Sequence, residues 1–300
     1  MKGYGHAAYA ASLSDFGTPR FLDRSGSWIL ERPIEGSSYR DSIGCYPIFV
    51  CEDWGRLESD LDQVEGLVCL SLVTDPFGNY DGETLRRCFP HLVIAFKQHF
   101  VIDLNQPYGT LVDSHHHRNA RKALRRITVE ECMNPPKILD EWIDLYANLI
   151  KRHNISGTKT FSRESFAKQL AVPGIRVFKA SSGDTTVGMI LWYEQSDRSY
   201  YHLAAYSDLG YELGASFALF DHSIKYFAQR GFEWLGLGAG AGLENEESGL
   251  SRFKAGWSTG RRTAYFCGRV FDQAKYDGIV SAKGVGAVNY FPAYRFGEFA

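Results

Sequence analysis

Residues 175–206 constrain the fold more than any other stretch. Three runs rich in β-branched and aromatic residues, Ile175–Ala180, Val187–Glu194 and Ser199–Tyr206, are divided by Ser181-Ser-Gly-Asp184 and Gln195-Ser-Asp-Arg198. Short polar breaks between apolar runs predict hairpin turns, and hence an antiparallel meander. Directly afterwards, Leu213–Gln229 carries Phe217, Phe220, Ile224 and Phe227 on one helical face and stops at Gly231, a residue that tolerates positive φ. Trp234–Leu237 and Ala264–Phe271 then read as further strands.

The pattern upstream is similar. Trp28–Arg32, Tyr46–Cys51, Leu67–Val73, Leu92–Phe96 and Phe100–Leu104 have strand composition, and Trp54, Leu57, Leu61 and Val64 recur at helical spacing among them. A polar helix near Ser114–Arg126, a strand near Ile127–Cys132 and the breaker Asn134-Pro-Pro136 follow. The next helix packs Ile138, Trp142, Leu145, Tyr146 and Leu149 and ends in Lys151, Arg152 and His153, which suits the negative pole of its dipole. Alternating strands and helices predict an α/β protein. At 300 residues it holds two domains, 1–113 and 114–300, similar enough in element order to suggest duplication.

Composition excludes a disordered chain, since 44% of residues are hydrophobic and 14% aromatic. Six cysteines without a Cys-x-x-Cys pair predict buried thiols in a reducing, cytoplasmic setting, and no apolar run is long enough for a membrane span. The net charge of -2 conceals an asymmetry: residues 1–113 carry 9 Lys/Arg against 16 Asp/Glu, and residues 114–300 carry 24 against 19. The basic half is the one expected to meet an anionic partner.

Several motifs carry candidate chemistry. Glycines 236, 238, 240 and 242 fall at every second position, which fits no dinucleotide fingerprint, and Glu244, Glu246 and Glu247 follow where a pyrophosphate would need amides and cations. Gly214-Ala-Ser-Phe-Ala218 resembles a nucleophile elbow, but the only later histidine, His222, lies on the same helix and cannot reach back to Ser216, which argues against a hydrolase by this route. Gly214 and Ser216 instead mark a helix start whose amides suit an anion or a polarised carbonyl. His115, His116 and His117 are consecutive, fan around a helix and are expected to hold no metal. Arg118, Arg121, Lys122, Arg125 and Arg126 share one helical face, either a solvated surface or a stripe that tracks phosphates. Lys254 stands beside Phe253 among glycines, either a surface lysine or a desolvated cation suited to an oxyanion.

The segments Lys97-Gln-His-Phe-Val-Ile-Asp-Leu104, Arg118-Asn-Ala-Arg-Lys-Ala-Leu-Arg125, Gly249-Leu-Ser-Arg-Phe-Lys254 and Tyr290-Phe-Pro-Ala-Tyr-Arg295 resemble, in this order, those of Fem-type aminoacyltransferases and related acetyltransferase-like proteins. The resemblance spans about residues 25–296. It implies two GNAT-like domains, each a mixed, mostly antiparallel sheet flanked by helices, with the catalytic cleft mainly in the second. It also implies acyl transfer to an amine, with Lys254 facing the donor's phosphate or the oxyanion. Arg118, Arg121, Lys122 and Arg125 correspond to a basic segment joining the domains. No inserted coiled-coil arm is present, which argues for a smaller acceptor than a peptidoglycan precursor.

The thioester-binding loop of coenzyme A-dependent relatives corresponds to Tyr211-Glu-Leu-Gly-Ala-Ser216, which keeps Gly214 but has Tyr211 in place of a cation or amide. Aminoacyl-tRNA is therefore the expected co-substrate, with acyl-CoA the alternative and no other cofactor. Phe253 and Tyr206 are expected at the acceptor, and Tyr201 and His202 are candidates to relay its proton. A non-catalytic RNA-binding pair of domains is the third reading.

Overall fold

The computed structural model describes residues 1–153, 161–240 and 249–298. The chain runs through α1 (Ala7–Ser12), β1 (Thr18–Leu22), β2 (Ser27–Pro33), β3 (Arg40–Gly44), α2 (Trp54–Leu61), β4 (Leu67–Val73), α3 (Gly82–Cys88) and β5 (Leu92–Asp103). Next come α4 (Tyr108–Leu111), α5 (Ser114–Ala123), β6 (Thr128–Glu131), α6 (Leu139–His153), α7 (Arg163–Gln169), β7 (Ile175–Ser182), β8 (Thr185–Gln195) and β9 (Arg198–Tyr206). The remaining elements are α8 (Asp208–Leu213), α9 (Ala215–Gln229), β10 (Trp234–Gly238), α10 (Gly249–Ala255), β11 (Gly260–Val270) and α11 (Gln273–Ala282).

Two compact units result, but not at the boundary expected from the sequence. The larger unit comprises Met1–Gly3 and Gln98–Arg262; the smaller comprises Tyr4–Lys97 and Thr263–Ala300. The division falls inside β5 and β11 rather than after residue 113. Pairing is the reason: Phe266–Val270 of β11 joins Cys69–Val73 of β4, which draws the C-terminal segment into the same unit as the N-terminal strands.

In the smaller unit β1, β2 and β3 form an antiparallel meander, β4 runs parallel to β3, and β11 is antiparallel to β4. Helix α2 links the parallel pair and turns Trp54, Leu57 and Leu61 into a core with Leu70, Leu72, Leu85, Phe89 and Cys267. Asp53 caps it, accepting from the Gly55 amide. At the other end of the chain, Arg295 donates from Nε (2.6 Å) and Nη2 (2.8 Å) to the fully buried Asp41, which also accepts from the Tyr294 hydroxyl at 3.0 Å.

The larger unit repeats the plan. β6, β7, β8 and β9 are antiparallel in sequence, β10 lies parallel to β9, and β5 runs antiparallel to β10. The parallel pair is again linked by helices, here α8 and α9. Every residue of β8 from Val187 to Glu194 is buried, because the strand is covered on both faces. Trp192 donates to Ser223 of α9 at 3.0 Å, whereas its neighbour Tyr193 points the other way and donates to the Gln169 carbonyl at 2.9 Å.

The predicted meander, with Gly183 and Ser196 at positive φ in its turns, is present. Tyr46–Cys51 is not a strand: Pro47 lacks an amide proton, and within this run only Phe49 makes a bridge, to Thr74. The two strands predicted around residues 92–104 are one continuous β5, and the helix predicted over Leu213–Gln229 is α9, which starts at Ala215 and is separated from the preceding α8 by Gly214 with φ +73°. Four of the six cysteines are buried and two half-buried, and all are free thiols.

Candidate functional site at the open end of the parallel pair

Strands β9 and β10 pair only from Arg198↔Trp234 to Tyr200↔Gly236. From Tyr201 onward β9 is bonded to β8 alone among the described residues, so the two parallel strands part at their C-terminal ends. In an open α/β sheet this is where a ligand reaches backbone groups. A register shift at the same point leaves His202 as the extra residue between the pairs Trp192↔Tyr201 and Leu191↔Leu203.

Lys254 stands at this opening. It lies on α10, is only 5% exposed, and donates from Nζ to the Ala239 carbonyl at 2.7 Å, just beyond the end of β10. The ammonium also lies 5.3 Å from the centre of the Tyr201 ring. Tyr201 in turn packs against Trp192 and Phe220, at centroid distances of 5.8 and 5.4 Å. Burial raises the pKa of its hydroxyl, which keeps it a proton donor at neutral pH. Thus Lys254 is not a snorkelling surface lysine but a desolvated cation held on an aromatic face.

Phe253 belongs to the same α10 turn but faces away from the strands, packing at 5.2 Å on Phe217 and 5.0 Å on Phe220. These two rings lie in the first turns of α9, so α10 is docked along the start of that helix. Gly214 is the N-cap of α9, and no side chain caps the helix there. The first-turn amides at Ala215 and Ser216 have no carbonyl within the helix to bond, which leaves a positive helix pole beside the opening. Arg152 from α6 places its guanidinium 4.2 Å from the Tyr211 ring, adding a cation on this side.

Helix α5 packs across α9, and a Cβ added at Gly214 would lie 3.9 Å from that of Ala123. Arg118, Arg121, Lys122, Arg125 and Arg126 are all exposed, and among the described residues none has an acidic partner within ion-pair distance. The opposite face is buried through His116, Ala120 and Ala123. Consecutive position did not keep the histidines apart from other ligands: Asp113, His115 and His116 bring one potential ligand atom each to within 4.8 Å of one another.

Two sequence-predicted site residues lie elsewhere. His202 points to the face opposite Tyr201, where its Nε2 bonds the Gln169 side-chain oxygen at 2.9 Å under the Tyr193 ring. Burial lowers its pKa to about 3, so it is a neutral core residue. Tyr206 is 9% exposed, its ring lying over Gly188 and 5.4 Å from that of Tyr211. Its carbonyl accepts from the Asn148 amide at 2.8 Å, so it anchors α6 to the end of β9. Gly242, Glu244, Glu246 and Glu247 lie outside the described residues. Sequence reasoning missed Tyr108, which donates to the buried Asp221, itself held by Lys225 Nζ at 2.7 Å. No local motif signals a pair 113 positions apart.

Residues 114–254 match the family model described as an acetyltransferase (GNAT) domain. No curated protein matches the chain. Among solved structures, FemX superposes with a TM-score of 0.70 at 13% identity, covering 93% of this chain and 95% of that one. The structure of L-PGS from Bacillus licheniformis gives 0.62 at 12% identity over 95% and 98%. The C-terminal domain of a putative lysylphosphatidylglycerol synthetase from Agrobacterium fabrum gives 0.60 at 17% identity over 96% and 94%. These likenesses establish a shared fold across nearly the whole chain. The family match runs from the start of α5 to Lys254, so residues 114–254 carry the likeness to a GNAT acetyltransferase domain, and that likeness supports an acyltransferase.

Proposed function

We propose that this protein moves an aminoacyl group from aminoacyl-tRNA to the amine of a small-molecule, peptide or cell-wall-type acceptor. The observation that carries the reading is the row of exposed cations along α5 and the turn that follows it, unpaired among the described residues, against the helix whose N-terminus borders the opening. Three like charges on α5 and two on the turn after it repel one another, and a polyanionic strand relieves that repulsion while releasing its own counterions. The aminoacyl cargo is further supported by the fold shared with proteins named for lysylphosphatidylglycerol synthesis.

The chemistry follows from the geometry. The acceptor nitrogen attacks the ester carbonyl carbon and the carbonyl π electrons move to oxygen. On collapse of the tetrahedral intermediate the C–O bond to ribose breaks, and the departing oxygen takes up the proton that nitrogen has lost. The buried Lys254 ammonium faces the developing oxyanion, where low dielectric strengthens its effect. In this reading the Tyr201 hydroxyl, kept protonated by burial, donates to the departing oxygen, and no histidine among the described residues is assigned as base. Positioning supplies most of the remaining acceleration.

One observation favours acyl-CoA instead: the uncapped start of α9, with Arg152 close by, suits a pyrophosphate. Mass spectrometry of amine libraries incubated with charged tRNAs, and separately with acyl thioesters, distinguishes the two. The tRNA reading expects product that disappears after ribonuclease treatment. Product from thioesters alone, indifferent to ribonuclease, overturns it.

A further inference from the structure

The start of α5 holds a second cluster, independent of the acyl-transfer reading. The His116 side chain is 9% exposed, enclosed by the rings of Phe217, Phe253 and Trp257 at 5.2, 5.5 and 5.2 Å. Its Nε2 lies 3.0 Å from the Phe253 carbonyl oxygen. A carbonyl can only accept, so Nε2 carries the proton, and Nδ1 of the neutral ring keeps its lone pair. That Nδ1 is buried without a hydrogen-bond partner among the described residues and faces Asp113 Oδ1 at 3.7 Å.

The buried Nδ1 lone pair is the costly member of this pair, since the Asp113 carboxylate reaches solvent, and a cation held between the two acceptors would satisfy it. The ring is arranged as metal-bound histidines are, with its second nitrogen tied to a backbone carbonyl that fixes tautomer and orientation. His115 completes the group: its ring lies 5.7 Å from that of His116, and its unprotonated nitrogen can coordinate in exchange for the hydrogen bond it accepts from the Asn119 amide.

We propose that Asp113, His115 and His116 bind a divalent transition ion of the zinc class. The ligands are a carboxylate oxygen of Asp113, a ring nitrogen of His115 and Nδ1 of His116. Two imidazoles and one carboxylate suit zinc over the hard ions magnesium and calcium, and leave a fourth position for water. The ion takes no part in acyl transfer. Because His116 also bonds the Phe253 carbonyl, metal binding fixes the basic helix α5 against α10, the helix that carries Lys254.

The test is calorimetric titration of the full chain, made without a histidine tag, with zinc chloride, with cobalt(II) absorption as a second readout and magnesium as control. Wild type is expected to bind one zinc per chain and to gain thermal stability in proportion to the ion added. His115→Ala, which alters an exposed side chain, and Asp113→Asn, which keeps an N-cap for α5, are each expected to weaken binding about tenfold or more. His117→Ala is expected to bind as wild type. Absence of zinc binding by the folded wild type, wild-type affinity in either ligand variant, equal affinity for magnesium, or loss of binding in His117→Ala would overturn the assignment.

Discussion

At Lys254, burial changes what a substitution does. The ammonium satisfies the Ala239 carbonyl, so truncation to alanine would remove a charge, open a void and orphan an acceptor together. Lys254→Met keeps an unbranched chain of similar length and removes only the charge and its hydrogen bond. Turnover in that variant should fall by roughly 10²–10³, as for loss of one oxyanion donor, while stability falls by about 1–3 kcal/mol from the unsatisfied carbonyl. Single-turnover kinetics with thermal denaturation check this, and near-normal turnover would remove Lys254 from the chemistry. His202 gives a prediction of the opposite kind. Its folded pKa of about 3 lies below its ordinary 6.5, so between these values the unfolded chain holds a proton that the folded chain does not. Stability must therefore decline as pH falls through that window, by up to about 1.4 kcal/mol per pH unit from this residue. His202→Gln should flatten that slope by one proton and leave the pH profile of kcat/KM unchanged. A shifted kinetic profile would restore His202 to the reaction.

Among the elements, α5 joins two opposite demands. One face is small and apolar enough to pack on α9, and the other concentrates cations without acids. Removing one cation, as in Arg121→Gln or Lys122→Gln, should lower the slope of log K against log salt for tRNA by about 0.7–0.9 for each phosphate no longer neutralised. Folding stability should hold or rise, since like-charge repulsion is relieved. Fluorescence anisotropy across a salt series measures this, and an unaltered slope in both variants would return the stripe to a plain solvated face. Placement of α5 depends on Gly256, because a Cβ there would collide with the His116 ring. Gly256 also accepts from the Asp113 amide through its carbonyl at 3.1 Å.

At the scale of the whole chain, the same plan is built twice: an antiparallel meander, one parallel pair joined through helices, and a further antiparallel strand. The smaller unit is closed by residues from both ends of the sequence. Arg295→Met would leave the fully buried Asp41 with the Tyr294 hydroxyl at 3.0 Å and Arg32 Nε at 3.5 Å as its remaining polar neighbours among the described residues. Breaking a buried pair from one side costs about 3–5 kcal/mol. Urea denaturation should show a loss of that order, and a change under about 1 kcal/mol would mean that Arg32 alone compensates Asp41.

Sequence periodicity was sufficient for the elements of the meander, for α2, β4 and α6, and for the cationic face of α5, because side-chain alternation and helical spacing are local properties. Strands β1 and β3 were not legible, since Arg40–Gly44 is short and polar and owes its burial to β2 and β4 on either side. The site divided in the same way. Residue type and motif order singled out Lys254, but its burial, its Ala239 partner and its place on the Tyr201 ring required β9 and β10 to part. Alternation along β9 sent His202 and Tyr201 to opposite faces, and the pairing of β11 with β4 and of β5 with β10 set the boundaries of the two units. Local sequence determined which segments could be strands or helices. Tertiary pairing decided which side chains shared a space, because hydrogen bonds between distant strands fix register and register fixes the face each side chain meets.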